Sequence, residues 1–239
     1  MKSIKAIVIL FSIIFTSLNV FSQTQTDSII NGYINALGGR DKLTQINSIN
    51  IEGTADVMGS SGDYKTDILI NKGYKMAMSF NGSDITQSVV DTGGWVINPF
   101  MGASTATAMP KGQYLSLRDN IFTPTPLLNY TNNGYTVKFS GQDVVDGKPV
   151  YKIETTSKDS VITTYYIDSA THFLDQRIIN INGELTTAKF SDYQKTDFGN
   201  MMAFTEDLTT PQGYELTFKI KKVTINAPVD AAVFDMPKN

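Results

Sequence analysis

The sequence predicts a mainly β protein: one antiparallel sheet curled into an unclosed barrel, with an N-terminal helix and short lid helices covering an apolar cavity. Three observations point to it. From Ser48 onward apolar positions recur with period two, as in Ile49, Ile51, Gly53, Ala55 and Val57, with Asn50, Glu52, Thr54 and Asp56 between them. Turn-forming clusters then interrupt the chain at roughly ten-residue intervals, the rhythm of a meander. No long helical pattern alternates with these strands, which argues against a parallel βαβ sheet.

The elements follow in order. Residues 1–22 read as a signal peptide: Lys2 and Lys5 precede an uncharged apolar run from Ala6 to Val20, which is short for a membrane span and ends at small residues suited to cleavage after Ser22 or Gln23. The remaining chain, 23–239, has no repeat, linker or composition break and is expected to form a single domain. An amphipathic helix opens it. Ile29, Ile30, Tyr33, Ile34 and Leu37 fall at helical spacing behind Asp27 or Ser28, Gly38-Gly39 stops the pattern, and residues 40–46 add a further turn or two.

Turn signals then lie at SSG (60–62), NKG (71–73), NG (81–82), TGG (92–94), NNG (132–134), DG (146–147), NG (182–183) and PQG (211–213). Asn81-Gly82, Asp146-Gly147 and Asn182-Gly183 have the chemistry of two-residue hairpin turns. About ten or eleven strands result, enough for a twisted sheet to curl towards a barrel. One region breaks the rhythm. Between Gly93 and Val137 the only charges are Lys111, Arg118 and Asp119. A strand, GGWVINPF, leads there into an apolar excursion over approximately residues 100–131, with short helices expected over Gly112–Asn120 and from Pro126 to Tyr130.

Composition narrows the function. Without Lys2 and Lys5 the 20 basic residues become 18 against 23 acidic, a formal net charge of −5, and no basic patch with interleaved aromatics appears; nucleic acid is not an expected partner. There is no cysteine, so no disulfide, thiolate nucleophile or site for an N-terminal lipid anchor exists. The only histidine, His172, sits beside turn residues with no GxSxG or HExxH setting and is expected at a turn or the surface. Glu52 and Asp56 would lie about 13 Å apart along a strand, too far for a catalytic carboxylate pair. Lys219, Lys221 and Lys222 read as an exposed face or a blunted edge. No catalytic residue, metal site or cofactor is expected, and the chain is read as a non-enzyme.

What remains is adaptable apolar surface. Tyr74, Met76, Met78 and Phe80 alternate on one strand face, and Trp95 and Ile97 on another. Methionine is flexible and polarisable, suited to a wall that fits acyl chains, although ordinary core packing uses the same residues. With Phe100, Met101, Met109, Leu115, Phe122, Leu127 and Leu128 from the excursion, these are the candidate ligand-binding residues of cavity and lid.

Three segments resemble a known family, the third more weakly. Trp95-Val96-Ile97-Asn98-Pro99-Phe100 with the following Ala/Thr run, Ser104 to Ala108, is similar to the strand and next segment of LolA-type periplasmic lipoprotein carriers; Pro228 to Pro237 is similar to their closing segment, and Tyr166 to Thr171 more weakly to a strand and turn of the wider superfamily. The resemblance implies a half-open barrel with a helical lid, which takes lipoprotein acyl chains from an inner-membrane transporter and delivers them to an outer-membrane receptor. With the signal peptide and the missing cysteine, which excludes the family's lipid-anchored receptor branch, an exported, soluble, periplasmic and monomeric protein that is not lipid-anchored is expected. An alternative within the same fold is a sensor of lipid or lipoprotein acting through an envelope partner. The carriers latch their lid with an arginine beside a proline, and the matching place here offers Lys72, a single ammonium instead of a planar fork.

Overall fold

The computed structural model describes residues 23–57, 59–80 and 82–238. The signal-peptide reading, and Asn81 of the Asn81-Gly82 turn, lie outside the described residues. Helix α1 (23–36) buries Ile29, Ile30, Tyr33, Ile34 and Leu37 and exposes Ser28, Asn31 and Asn35, as its spacing requires. After Gly38-Gly39 a single turn, α2 (Arg40–Leu43), leads to the first strand.

Thirteen strands follow among the described residues: β1 (Ser48–Val57), β2 (Ser60–Leu69), β3 (Gly73–Phe80), β4 (Ser83–Val90), β5 (Gly93–Asn98), β6 (Ala103–Ala108), β7 (Thr136–Val145), β8 (Lys148–Thr156), β9 (Ile162–Asp168), β10 (Leu174–Ile181), β11 (Glu184–Lys195), β12 (Met201–Thr209) and β13 (Glu215–Ile225). They form one antiparallel sheet in the order β6-β5-β4-β3-β2-β1-β13-β12-β11-β10-β9-β8-β7, which does not close into a barrel. The first six strands are one meander and the last seven another. They meet where β1 pairs with β13, Ile49 opposite Ile225. The edges are therefore β6 and β7, and the chain between them, 109–135, crosses from one edge to the other carrying α3 (Lys111–Leu117) and 3-10 turns at Arg118–Phe122 and Pro126–Asn129.

Local chemistry fixes the connections. Asp146 and Asn182 take φ of 48° and 55°, the left-handed backbone a tight hairpin turn needs, and the flanking pairs Val145 with Lys148 and Ile181 with Glu184 leave two-residue loops. One turn signal is displaced. Val57 pairs with Ser60, so the first hairpin turns before SSG, and Ser60, Ser61 and Gly62 begin β2. Gly62 marks a close approach instead: a Cβ there would lie 2.8 Å from the Phe80 ring and 2.1 Å from the Ser79 carbonyl oxygen. The strand count exceeds the expected ten or eleven partly because β6 falls inside the anticipated excursion. Its sequence, ASTATA, has no large apolar residue to reveal a period, and of its six side chains only Ala106 is buried.

The core lies on the concave face. α1 sits in the trough of the sheet, its isoleucines and Tyr33 continuous with Ile49, Ile51 and Ala55 of β1, Ile153 of β8, Tyr165 and Ile167 of β9 and Leu174 of β10. His172, at the β9–β10 turn, lays its ring on α1, where a Cβ at Gly32 would fall 2.0 Å from its Cδ2. No described helix is long and apolar enough to cross a membrane.

Candidate functional site

β3 presents Tyr74, Met76, Met78 and Phe80 to the concave side, each buried and continuous with the α1 core, joined there by Val89 of β4 and Val96 of β5. From the crossing segment Met109, Leu127 and Leu128 enter the same core and Phe122 packs half-buried against it. Leu115 does not: it forms a satellite cluster with Val161 and Ile179 where α3 caps the β9–β10 end of the trough. Phe100 and Met101 are 59% and 83% exposed on a 3-10 turn (Pro99–Met101) at the β5–β6 connection, outside cavity and lid alike.

Trp95 and Ile97 lie on the opposite face of the sheet from Met76 and Met78. Register decides this: Ser88 pairs with Lys75 and with Trp95, so all three share the outer side, while Tyr74, Val89 and Gly94 share the inner one. The Trp95 indole N–H donates to the Phe234 carbonyl at 2.8 Å, the Ser88 hydroxyl donates to the same oxygen at 3.2 Å, and the Lys75 ammonium stands 5.7 Å from the ring centroid. The motif that suggested a cavity wall thus clasps the C-terminal segment, whose 3-10 turn (Ala231–Phe234) lies across β3 and β4.

The crossing segment is tied down like a lid. The Asn71 N–H, at the β2–β3 turn, donates to the Ile121 carbonyl at 2.8 Å, and Arg40 of α2 donates through Nη1 to the Leu128 carbonyl. From α1, Asp27 accepts a bond from the Tyr130 hydroxyl at 3.0 Å, and Tyr33 is hydrogen-bonded to Thr125, the Tyr33 phenol being pushed up to about 12 by burial against that bond. Gln113 donates to Gln87 at 3.3 Å, and the Tyr114 hydroxyl donates to the Asp91 carbonyl. Within the lid Arg118 is a buried hub, holding Asp119 at 3.1 Å and Asp159 beyond it, while the Tyr135 hydroxyl donates to Asp119 at 2.5 Å. Burial opposes the charge of Arg118, but Asp119 and Tyr135 outweigh it and hold the guanidinium protonated. Lys72 is exposed, and its ammonium has no hydrogen bond or ion pair among the described residues. Two arginines anchor the lid, Arg40 through a single Nη1 bond and Arg118 through a fork onto Asp119 with Nη1 on Asp159; neither position stood out, because each reads locally as an ordinary surface charge.

At the seam between lid and sheet, Leu43, Ile46, Ile70, Phe122, Thr125 and Leu128 help to line a cavity of about 150 Å³. That holds about five waters at ~30 Å³ each, less than the ~300 Å³ from which small-molecule pockets begin. In this closed arrangement the α1 side chains occupy the trough where an acyl chain would lie. A larger open groove, 640 Å³, runs over Gly38, Arg40, Lys42 and Phe198 on the outside of the α1–α2 corner.

The concave face is less covered over β11–β13. Phe190, Leu208, Leu216 and Val57 remain half-buried there, and the inner row contains two charges. Glu206 stands opposite Phe190 and Phe218; Arg177 stands opposite Ala188 and Tyr165. Burial, with Asp207 adding to it and Arg177 opposing, pushes the Glu206 carboxyl up.

No family model matches the sequence and no curated protein is similar to it. Solved structures are. A domain assigned to outer membrane lipoprotein sorting, from Vibrio parahaemolyticus, superposes with a TM-score of 0.59 at 12% identity, covering 89% of this chain and 97% of that one. A LolA superfamily protein from Nitrosomonas europaea gives 0.57 at 13% identity over 88% and 97%. A DUF1329 family protein from Desulfovibrio piger gives 0.51 at 13% over 88% and 97%. The chain has a LolA-like fold.

Proposed function

We propose that this protein is a periplasmic lipid carrier that takes acyl chains, those of lipoproteins or of similar lipid-tailed cargo, onto the concave face of its half-barrel and conveys them towards the outer membrane. One observation carries the reading: a continuous apolar trough is filled by a single amphipathic helix and roofed by a segment joined covalently only at its ends and held elsewhere by hydrogen bonds and by a few apolar side chains, Met109, Ile121, Leu127 and Leu128 among them. Each of these hydrogen bonds is worth about 0.5–3 kcal/mol, and burial of a lipid tail returns about 0.8 kcal/mol per methylene. A tail that takes the place of the α1 and lid side chains exchanges their apolar burial for its own, so these hydrogen bonds are what it has to overcome. Cargo enters as the lid swings out, and tyrosine and methionine side chains of β3 repack around it. On this reading an inner-membrane transporter loads the carrier and an outer-membrane receptor unloads it, and the protein performs no covalent chemistry.

Native mass spectrometry of the protein purified from its own periplasm, followed by organic extraction, tests this. Bound acyl species or an acylated lipoprotein are expected. An apo mass, together with no uptake of a fluorescent fatty-acid probe, would mean that α1 and the lid are permanent core, and the carrier reading would fall.

A further inference from the structure

Charged residues are out of place on a wall built for hydrocarbon, yet Arg177 and Glu206 both face the trough. Around them stand Tyr33 from α1, Tyr64 from β2, Tyr74 from β3, Tyr165 from β9 and Tyr193 from β11, each within electrostatic reach of one or both charges. The Arg177 side chain is 18% exposed and lies with its guanidinium carbon 5.5 Å from the Phe190 ring centroid. Its donors are poorly used. Nε is buried without a hydrogen-bond partner, and the nearest carboxylate, Glu206, is 3.8 Å from Nη2, beyond hydrogen-bond range.

A buried donor left unmade destabilises the fold, more so when it is charged. The structure holds Arg177 in that condition while Asp175, two residues earlier on the same strand, faces Lys148 at 3.8 Å. Glu206 stands near enough to attract the guanidinium but too far to accept a hydrogen bond from Nη2. The guanidinium is thus a forked donor without an acceptor, at the part of the trough that the lid leaves half-open, where Leu208, Leu216 and Phe190 offer apolar surface beside it.

We propose that Arg177 is an anion subsite for the headgroup of an amphiphile whose tail lies along the concave face, so that the preferred cargo is an acidic lipid. The tail extends from Leu208 and Leu216, which pair across β12 and β13, past Phe218 and the Tyr64 ring 5.4 Å from it, to Met78, the partner of Tyr64 on β3. The head places its oxygens on Nε and Nη2, the bidentate geometry that arginine offers to carboxylate or phosphate alike. Glu206 sets the selectivity: it competes for the same fork and repels an unprotonated anion, so only a ligand that also buries a tail displaces it.

This inference rests on the lipid-carrier reading, and its test separates the two. Oleate, oleyl phosphate and oleyl alcohol share one tail and differ in the head; their affinities are measured by displacement of a fluorescent lipid probe. At least one acid is expected to bind about tenfold to a hundredfold more tightly than the alcohol, the range for a charge-assisted hydrogen bond, and the tighter of the two identifies the headgroup. Arg177→Gln should erase that preference, bringing acid binding down to the level of the alcohol. Glu206→Gln should strengthen acid binding alone, and it decides the matter if the arginine variant does not fold. Equal binding of acid and alcohol, or no change in acid binding with Glu206→Gln, overturns the anion subsite while the carrier reading stands. Failure of all three ligands to bind overturns both.

Discussion

Arg40→Ala tests whether the lid is a gate. Arg40 is exposed overall, but its bond to the Leu128 carbonyl is half-buried and joins α2 directly to the second 3-10 turn of the lid. Hydrogen bonds from charged groups contribute about 1.5–3 kcal/mol; the exposure of Arg40 argues for the lower end, about 1.5 kcal/mol, roughly a tenfold change in an equilibrium constant. Deleting the side chain leaves the sheet and the α1 core untouched, so the loss falls on the closed lid alone. The open population should rise about tenfold, and where binding requires the open form the apparent affinity for a lipid probe rises by the same factor. Hydrogen exchange read over residues 111–135 reports the opening, and probe displacement reports the affinity. Faster exchange confined to the lid together with tighter binding is expected. Unchanged exchange, or faster exchange with no gain in binding, would refute the gate, because it would show that lid opening does not limit access to the trough.

Further outcomes follow from other parts of the molecule. Arg118→Met strands Asp119, which is 13% exposed, beside Tyr135; breaking a buried pair costs about 3–5 kcal/mol, so calorimetry should show a Tm lower by about 6–12 °C at the lower cost. Trp95 lies on the outer face, so emission from this single tryptophan should not shift when lipid fills the trough, whereas Trp95→Phe should cost about 1 kcal/mol through the lost bond to Phe234 without altering probe affinity. At Asp168 burial opposes the charge, but the Thr171 and Ala170 N–H groups at 2.7 and 2.8 Å outweigh it and hold the carboxyl below its ordinary value. Its contribution to stability is thus present above the unfolded-state pKa of about 3.9 and lost as pH falls through the folded one; Asp168→Ala should destabilise at pH 7, and denaturant midpoints should show the gap closing below about pH 4.

The meander was legible because period-two alternation and glycine-bearing turns are local signals. Ile49 to Val57 announce their strand, and Asp146 and Asn182 announce theirs by tolerating positive φ. The lid was visible as a stretch poor in charge. Which face a residue takes was less legible, since a strand's two faces are distinguished only by what packs on each. Trp95 looks inward-facing on hydrophobicity, but the C-terminal segment, distant in sequence, covers the outer face of β3 and β4 and supplies a carbonyl for its indole. SSG was misplaced for a related reason: glycine serves both φ freedom and close approach, and only the Phe80 ring decides which. Arg177 and Glu206 left a trace, each standing in an alternating row, Arg177 with Ile179 and Ile181, Glu206 with Met202, Phe204 and Leu208. A charge within such a row reads as a solvent-facing slip until the pairing of β10, β11 and β12 turns both inward.

The seam between β1 and β13 bears on how the chain is assembled. Every other strand pair joins neighbours in sequence, but Ile49 must find Ile225, and the Asn47 N–H must find the Asn226 side chain, across almost the whole chain. As the chain is synthesised, the first six strands can form a meander of local contacts, while α1 lacks the wall formed by β8–β10 that completes its core. Loop closure over so long a span comes late on topological grounds. The final strand is therefore the one that commits the trough to its shape, and a chain truncated before Glu215 should retain hairpins but remain open, exposing to chaperones the apolar surface that the finished protein covers with α1 and the crossing segment.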